Sequence, residues 1–448
     1  MDTETAQSAR GGAPSAQLGG AGQSALDLQV VVSHERLPAL AEEQACYALL
    51  SVSLHRGARY ERLPLNVCLL LDHSTSMNGA RLQSARDAAR HIVDRLRPED
   101  SLGLVAFSDR ADVLLPAQRN VDKAMAKAIA STLQPAGGTE LFQGLGAGIR
   151  EVVRGRTKTS INHLILLTDG RTYGDEQGCL ELARWAGERQ IGISPLGIGD
   201  DWNEELLDQV AALSGGRSEY IDSPRRVVGA FEAVISQLNR VIARQSSLCI
   251  VPQSSVTLHE AHQVAPDIQS LASTRDSETP AVMLGPLGWG PGKVVLMEFR
   301  IRDAAPGSRT LARVGVEADV PGVPEGRLSG TVDVVVEVVS VANAVGGVRI
   351  SNSEIPAAIL NALARVALFK MQEKMVGDVK AGQIESATQR LEVMATRLAA
   401  IGEMGLARSA MLEAGHMARA GTLSPTGRKK MRYGTRALSM IPKEVDNG

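Results

Sequence analysis

Five oxygen-bearing side chains, Asp72, Ser74, Ser76, Thr139 and Asp169, have the types and order that could do chemistry in this chain of 448 residues. Asp72 ends the apolar run Val67 to Leu71, and hydroxyls follow at alternate positions, Ser74 and Ser76, ahead of Asn78-Gly79 and a helical pattern. A buried strand that delivers an acid and two hydroxyls from its carboxyl end places them where open α/β sheets bind ligands. Short oxygen donors suit a small hard cation such as Mg²⁺, with Mn²⁺ or Ca²⁺ as alternatives. Asp-x-Ser-x-Ser alone is common in loops, so the weight falls on two further stretches. Gly137-Gly138-Thr139-Glu140-Leu141 sits between two helical segments, and Leu164 to Gly170 is a second buried strand ending in an acid, Asp169.

With those three stretches in hand, the chain resembles a von Willebrand factor type A domain, whose metal-ion-dependent adhesion site is built from DxSxS, a downstream Thr and a strand-ending Asp. The resemblance implies that the hydroxyls of Ser74, Ser76 and Thr139 coordinate the cation directly while Asp72 and Asp169 act largely through water. It also implies one coordination position left for an Asp or Glu carboxylate of a protein partner. Few anionic groups would then touch the metal, which stays electrophilic and gives the interface its dependence on divalent ions. No general base or nucleophile is evident beside the metal, which favours binding over catalysis.

The elements that must position these residues follow from periodicity. From Asn66 to about Arg244 strands and helices alternate, which argues for a mostly parallel sheet covered on both faces. The pair Ser101 to Phe107 and Ala111 to Leu115 supplies one antiparallel edge, and a closing helix runs from Val227 to Ala243. On either side the period drops towards two. The segment 26–62 has too few strands for a sheet of its own, so it is expected to pair with 246–341 in one β-sandwich. The fold class is α/β: a doubly wound, mostly parallel sheet (63–245) inserted in that sandwich, plus a helical unit at 342–422. Breaks in the helical unit are expected at Gly377 and Gly402 to Gly405, giving two or three helices. Residues 1–25 read as a disordered tail and 423–448 as a basic tail, with Arg428, Lys429, Lys430, Arg432 and Arg436 in nine residues.

Composition sets limits on partners. Lys plus Arg number 48 against 50 Asp plus Glu, so nothing suggests wholesale attraction to nucleic acid or an anionic membrane. Four cysteines, Cys46, Cys68, Cys179 and Cys249, are widely spaced and read as small buried hydrophobes. No signal-type or membrane-spanning apolar run occurs, so a soluble cytoplasmic protein is expected. Self-association through the helical unit stays open.

Each residue also has a plainer role to weigh. Asp72 and Ser74 could be a helix N-cap network, Thr139 a cap of the helix from Leu141, and Asp169-Gly170 a simple turn. His73, Arg171 and Tyr173 could border a partner or be ordinary loop residues. Asp200-Asp201-Trp202-Asn203 is more plausibly a cap of the helix from Glu204 than a second cation site. The basic tail is usually just solvated; the other reading makes it a docking peptide with Thr435 as a phosphorylation-controlled contact.

The leading function is a non-enzymatic, metal-dependent scaffold or adaptor. An alternative makes it the accessory subunit of an AAA+ ATPase of the MoxR or chelatase kind, although no GxxxxGK[ST] occurs in the chain itself. A phosphatase of the haloacid dehalogenase type would need a second Asp two residues after Asp72, where Ser74 stands.

Overall fold

The computed structural model describes residues 26–55, 60–172, 174–273, 282–290, 292–321, 323, 326–340 and 354–438. The segment 1–25 and Tyr173, on which two of the expectations fall, lie outside them.

The site-bearing layer is a six-stranded sheet in the order β6-β5-β4-β7-β8-β9. Its strands are β4 (Leu65–Asp72), β5 (Ser101–Phe107), β6 (Ala111–Arg119), β7 (Ile161–Thr168), β8 (Ile191–Ile198) and β9 (Glu219–Ile221). Every residue of β4 and β7 is buried, as unbroken apolar runs require of strands covered on both faces. Helices α1 (Ala80–Arg95), α2 (Lys123–Ser131) and α6 (Val227–Asn239) close one face. Helices α3 (Leu141–Gly155), α4 (Glu176–Glu188) and α5 (Glu204–Ser214) close the other.

All neighbours in this sheet are parallel except β5 and β6, the antiparallel edge expected from the sequence. The chain steps outward from β4 through β5 to β6, then returns to the other side of β4 for β7, β8 and β9. The strand order therefore reverses between β4 and β7, the place where open α/β sheets hold ligands.

Two five-stranded sheets flank this layer, β1-β3-β14-β11-β12 and β13-β10-β15-β16-β2, in which β11 is Val256–Ala265, β12 Gln269–Ser273, β13 Val282–Gly288, β15 Gly307–Asp319 and β16 Arg327–Val339. Strands from before the α/β section, β1 (Leu26–Val32), β2 (Arg36–Pro38) and β3 (Gln44–Leu54), join strands from after it. Strand β3 lies antiparallel between β1 and β14 (Lys293–Ile301). Its alternation divides two cores: Cys46, Ala48, Leu50 and Val52 face the other five-stranded sheet, and Leu49 joins the helical unit. The closing helix is shorter than its sequence suggests. It stops at Asn239, and Val241 already opens the long strand β10 (Val241–Pro252), whose alternating burial marks it as sheet.

Among the described residues the helical unit has four helices: α7 (Ala357–Lys380), α8 (Ile384–Ala400), α9 (Met404–Ala420) and α10 (Pro425–Arg436). Gly377 lies inside α7, so the first expected break is misplaced; the chain turns instead at Gly382, with φ +73°. The basic segment is likewise not a solvated tail through Arg436. Ser424 caps α10 by accepting from the Gly427 amide at 2.9 Å, with Pro425 at the first helical position. The helix is then clamped to α5 by ion pairs of Arg432 and Arg436 with Asp208.

Candidate metal centre

Because β4 and β7 are parallel and adjacent, their carboxyl ends bring Asp72 and Asp169 to one edge of the sheet. Both carboxylates are out of solvent, at 0% and 1% exposure. Asp72 Oδ1 accepts from the Ser74 amide at 2.8 Å, and Oδ2 accepts from the Thr168 hydroxyl at 2.6 Å. Burial pushes the Asp72 carboxyl up to about 6, against the bonds from Ser74 and Thr168 that hold it down. The Ser74 and Ser76 hydroxyls lie 3.0 Å apart, and Ser76 Oγ donates to Asp169 Oδ1 at 2.7 Å. Four of the five residues thus form one hydrogen-bonded set.

Thr139 arrives on a separate loop that is fastened to the first. The Thr75 hydroxyl donates to the Gly137 carbonyl at 2.6 Å, and the Ala136 amide donates to the His73 carbonyl at 2.8 Å. Asp109 accepts from the Gly138 amide at 2.7 Å. The third loop meets the second at Gly170, where a Cβ would stand 2.7 Å from Thr139 Oγ1. The absence of a side chain at Gly170 is what lets the Thr139 hydroxyl lie beside the Asp169 loop.

The plainer roles go to other residues. Helix α1 has Gly79 at its N-cap and no side-chain cap, so Asp72 and Ser74 do not cap it. The first free amides of α3 bond to Thr172 and Asp175, not to Thr139. Asn203 caps α5 through the amides of Glu205 and Leu206, and Trp202 is fully buried, as the capping reading of 200–203 expects. His73 is tied by Nδ1 to the Gln134 carbonyl at 2.8 Å, whereas Arg171 is exposed. Thr435 is fully buried and donates to the Met431 carbonyl, so it presents no hydroxyl to a kinase in this fold.

Two partners of the site have no counterpart in the sequence reading. In sequence Thr168 reads as the last residue of an apolar strand, though a hydroxyl beside a strand-ending acid is a usable signal. Arg81 forms an ion pair with Asp169 Oδ2. Its position in the first turn of α1 marks it as unusual, since a basic side chain there opposes the helix dipole.

The donor set fits a divalent ion. Among the described residues, no group of three or more His, Cys, Asp and Glu gathers as a metal site. A cation here would therefore rest on hydroxyls and carboxylates, the oxygen-only environment that Mg²⁺ prefers.

Comparison with known proteins places the fold in a family. The von Willebrand factor type A domain family matches residues 66–227, and the Sll0103-like C-terminal alpha-helical domain matches residues 357–440. Protein sll0103 of Synechocystis sp. is 32% identical over 302 residues, covering 66% of this chain and 71% of its own length. The chain belongs to the von Willebrand factor type A (VWA) family. YfbK of Escherichia coli is 25% identical over 217 residues, and there this chain spans only 38% of the relative. The solved structure of a von Willebrand factor type A protein from Catenulispora acidiphila shares the fold, with TM-score 0.70 at 17% identity, across 92% of this chain and 97% of that one. VWA domains are often metal-dependent protein-interaction modules, and the resemblance read from the sequence holds for the VWA layer. Among the described residues, no helix is long and apolar enough to cross a membrane.

Proposed function

We propose that this VWA protein is a non-enzymatic scaffold or adaptor that captures an acidic residue of a protein partner through a divalent ion, most naturally Mg²⁺. Ser74, Ser76 and Thr139 would hold the ion through their hydroxyls, with Asp72 and Asp169 supplying the balancing charge from behind. The observation that carries the reading is the continuous hydrogen-bonded set of Asp72, Ser74, Ser76 and Asp169 at the point where the strand order reverses. When bound, the ion supplies a Lewis-acidic position for a carboxylate. The chain's own residues fix the oxygens, keep both acids dry and leave the edge of the sheet open to a partner.

Support for a binding role over phosphoryl chemistry comes from Asp72 itself. Both of its oxygens already accept hydrogen bonds, from the Ser74 amide and the Thr168 hydroxyl, which holds them away from nucleophilic duty. Four unpaired thiols are consistent with a reducing compartment such as the cytoplasm.

The test is recovery of partners from a lysate on immobilised full-length protein, with Mg²⁺ or with chelator, for wild type and Asp72→Ala. Partner recovery is expected to need both the metal and Asp72. Equal recovery under all four conditions would remove the site from the function.

A further inference from the structure

Arg81 is the one basic side chain hydrogen-bonded to the five-oxygen set among the described residues. Its guanidinium pairs with Asp169 Oδ2, while the other oxygen of that carboxylate accepts from Ser76. Asp169's side chain is fully buried, and Arg81's is about one-third exposed at 32%. The seat for the guanidinium is built by a third strand end. Gly199, in the turn after β8, has φ +72°, and a Cβ there would stand 3.0 Å from an Arg81 terminal nitrogen. So the ends of β7 and β8 leave a slot that the α1 side chain fills.

The cost of this arrangement is visible. Arg81 is the second residue of α1, where the helix dipole disfavours a positive charge. A lysine or arginine that served only the helix would sit in its last turn, as Arg95 does. A buried carboxylate without a positive neighbour is expensive, and that expense is largest when no divalent ion is present.

We propose that Arg81 is a resident counter-cation of the adhesion site: it neutralises Asp169 when the divalent ion is absent, and its fixed charge lowers the affinity for that ion. This rests on the reading of the five oxygens as a divalent-cation site. Arg81 is then a positioning residue that tunes metal occupancy, not a metal ligand. Its physical basis is charge repulsion: a fixed guanidinium on the same carboxylate makes a divalent ion less welcome by an amount that one near-surface charge contact can supply. Metal binding would have to share Asp169 with Arg81, so loading and loss of the ion become readily reversible.

A purely structural ion pair gives the opposite result, because its loss would loosen Asp169 and weaken metal binding. Full-length protein stripped with chelator is titrated calorimetrically with MgCl₂, for wild type, Arg81→Gln and Arg81→Lys. Arg81→Gln is expected to bind Mg²⁺ roughly tenfold more tightly than wild type, and Arg81→Lys, which keeps the charge, to stay within about threefold of wild type. A metal-free readout accompanies it: in chelator Arg81→Gln should melt several degrees lower, and Mg²⁺ should raise its melting temperature more than wild type's. Equal or weaker Mg²⁺ binding by a folded Arg81→Gln overturns the proposal. Absence of Mg²⁺ binding by folded wild type and Arg81→Gln alike overturns the cation site itself, and the counter-cation with it.

Discussion

His163 shows how the residues behind the site set conditions for the whole layer. It sits buried in β7, with Nε2 on the Ser194 hydroxyl at 2.8 Å and room provided by Gly192 in the neighbouring strand. Burial pushes its pKa from the ordinary 6.5 down to about 4. Between those values the unfolded chain takes up a proton that the folded chain refuses. Stability from this group is therefore complete above pH 6.5 and is lost as pH falls towards 4, by an amount on the order of 3 kcal/mol. His163→Gln should flatten urea-denaturation stability across that window relative to wild type; an unchanged slope would show that His163 is not neutral in the fold. The five site oxygens, by contrast, were legible in type and order because strand ends punctuate an apolar run with an acid. Thr168 and Arg81 were not, since their roles depend on which loop and helix end face Asp169, and one-dimensional spacing does not carry that.

Among the elements, α10 departs most from its sequence. Its basic residues look solvated as a string, yet Lys429 is fully buried, donating to the carbonyls of Asp200 and Trp202 with its ammonium 4.3 Å from the Trp202 ring centroid. Asp208 accepts from the Tyr433 hydroxyl at 2.8 Å and pairs with Arg432 and Arg436. The Ser424-Pro425 start was a readable helix signal, but the acidic face that receives the helix lies more than 200 residues earlier. Leaving those cations half-buried without Asp208 costs about 3 kcal/mol or more. Asp208→Ala should accordingly expose the Lys and Arg sites of α10 to trypsin, with cleavage seen by mass spectrometry while the rest of the chain resists. Protection equal to wild type would mean that apolar packing alone holds α10.

At the scale of the whole molecule, strands from both sides of the VWA layer share sheets, and β3 is the hinge between two cores. The partial alternation of Ala45 to Leu54 announces a strand; which neighbours it finds does not follow from its own residues, only from the shortage of strands in 26–62. Removing residues 26–54 would take Cys46, Ala48, Leu50 and Val52 from one core and Leu49 from the other. Each large apolar side chain contributes about 1.5–3 kcal/mol, together a large part of the roughly 5–15 kcal/mol that keeps a domain folded. The shortened chain is expected to lose its cooperative thermal transition by circular dichroism, and a transition at the wild-type temperature would contradict the shared-core account. All of this scaffolding converges on three loops at the carboxyl ends of β4 and β7. The most direct check is an anomalous-scattering map from crystals of the full chain grown with MnCl₂. A peak within bonding distance of the Ser74, Ser76 and Thr139 hydroxyls is the expected result; a saturated crystal with no peak there, or with the ion held elsewhere, would contradict the metal-centred account.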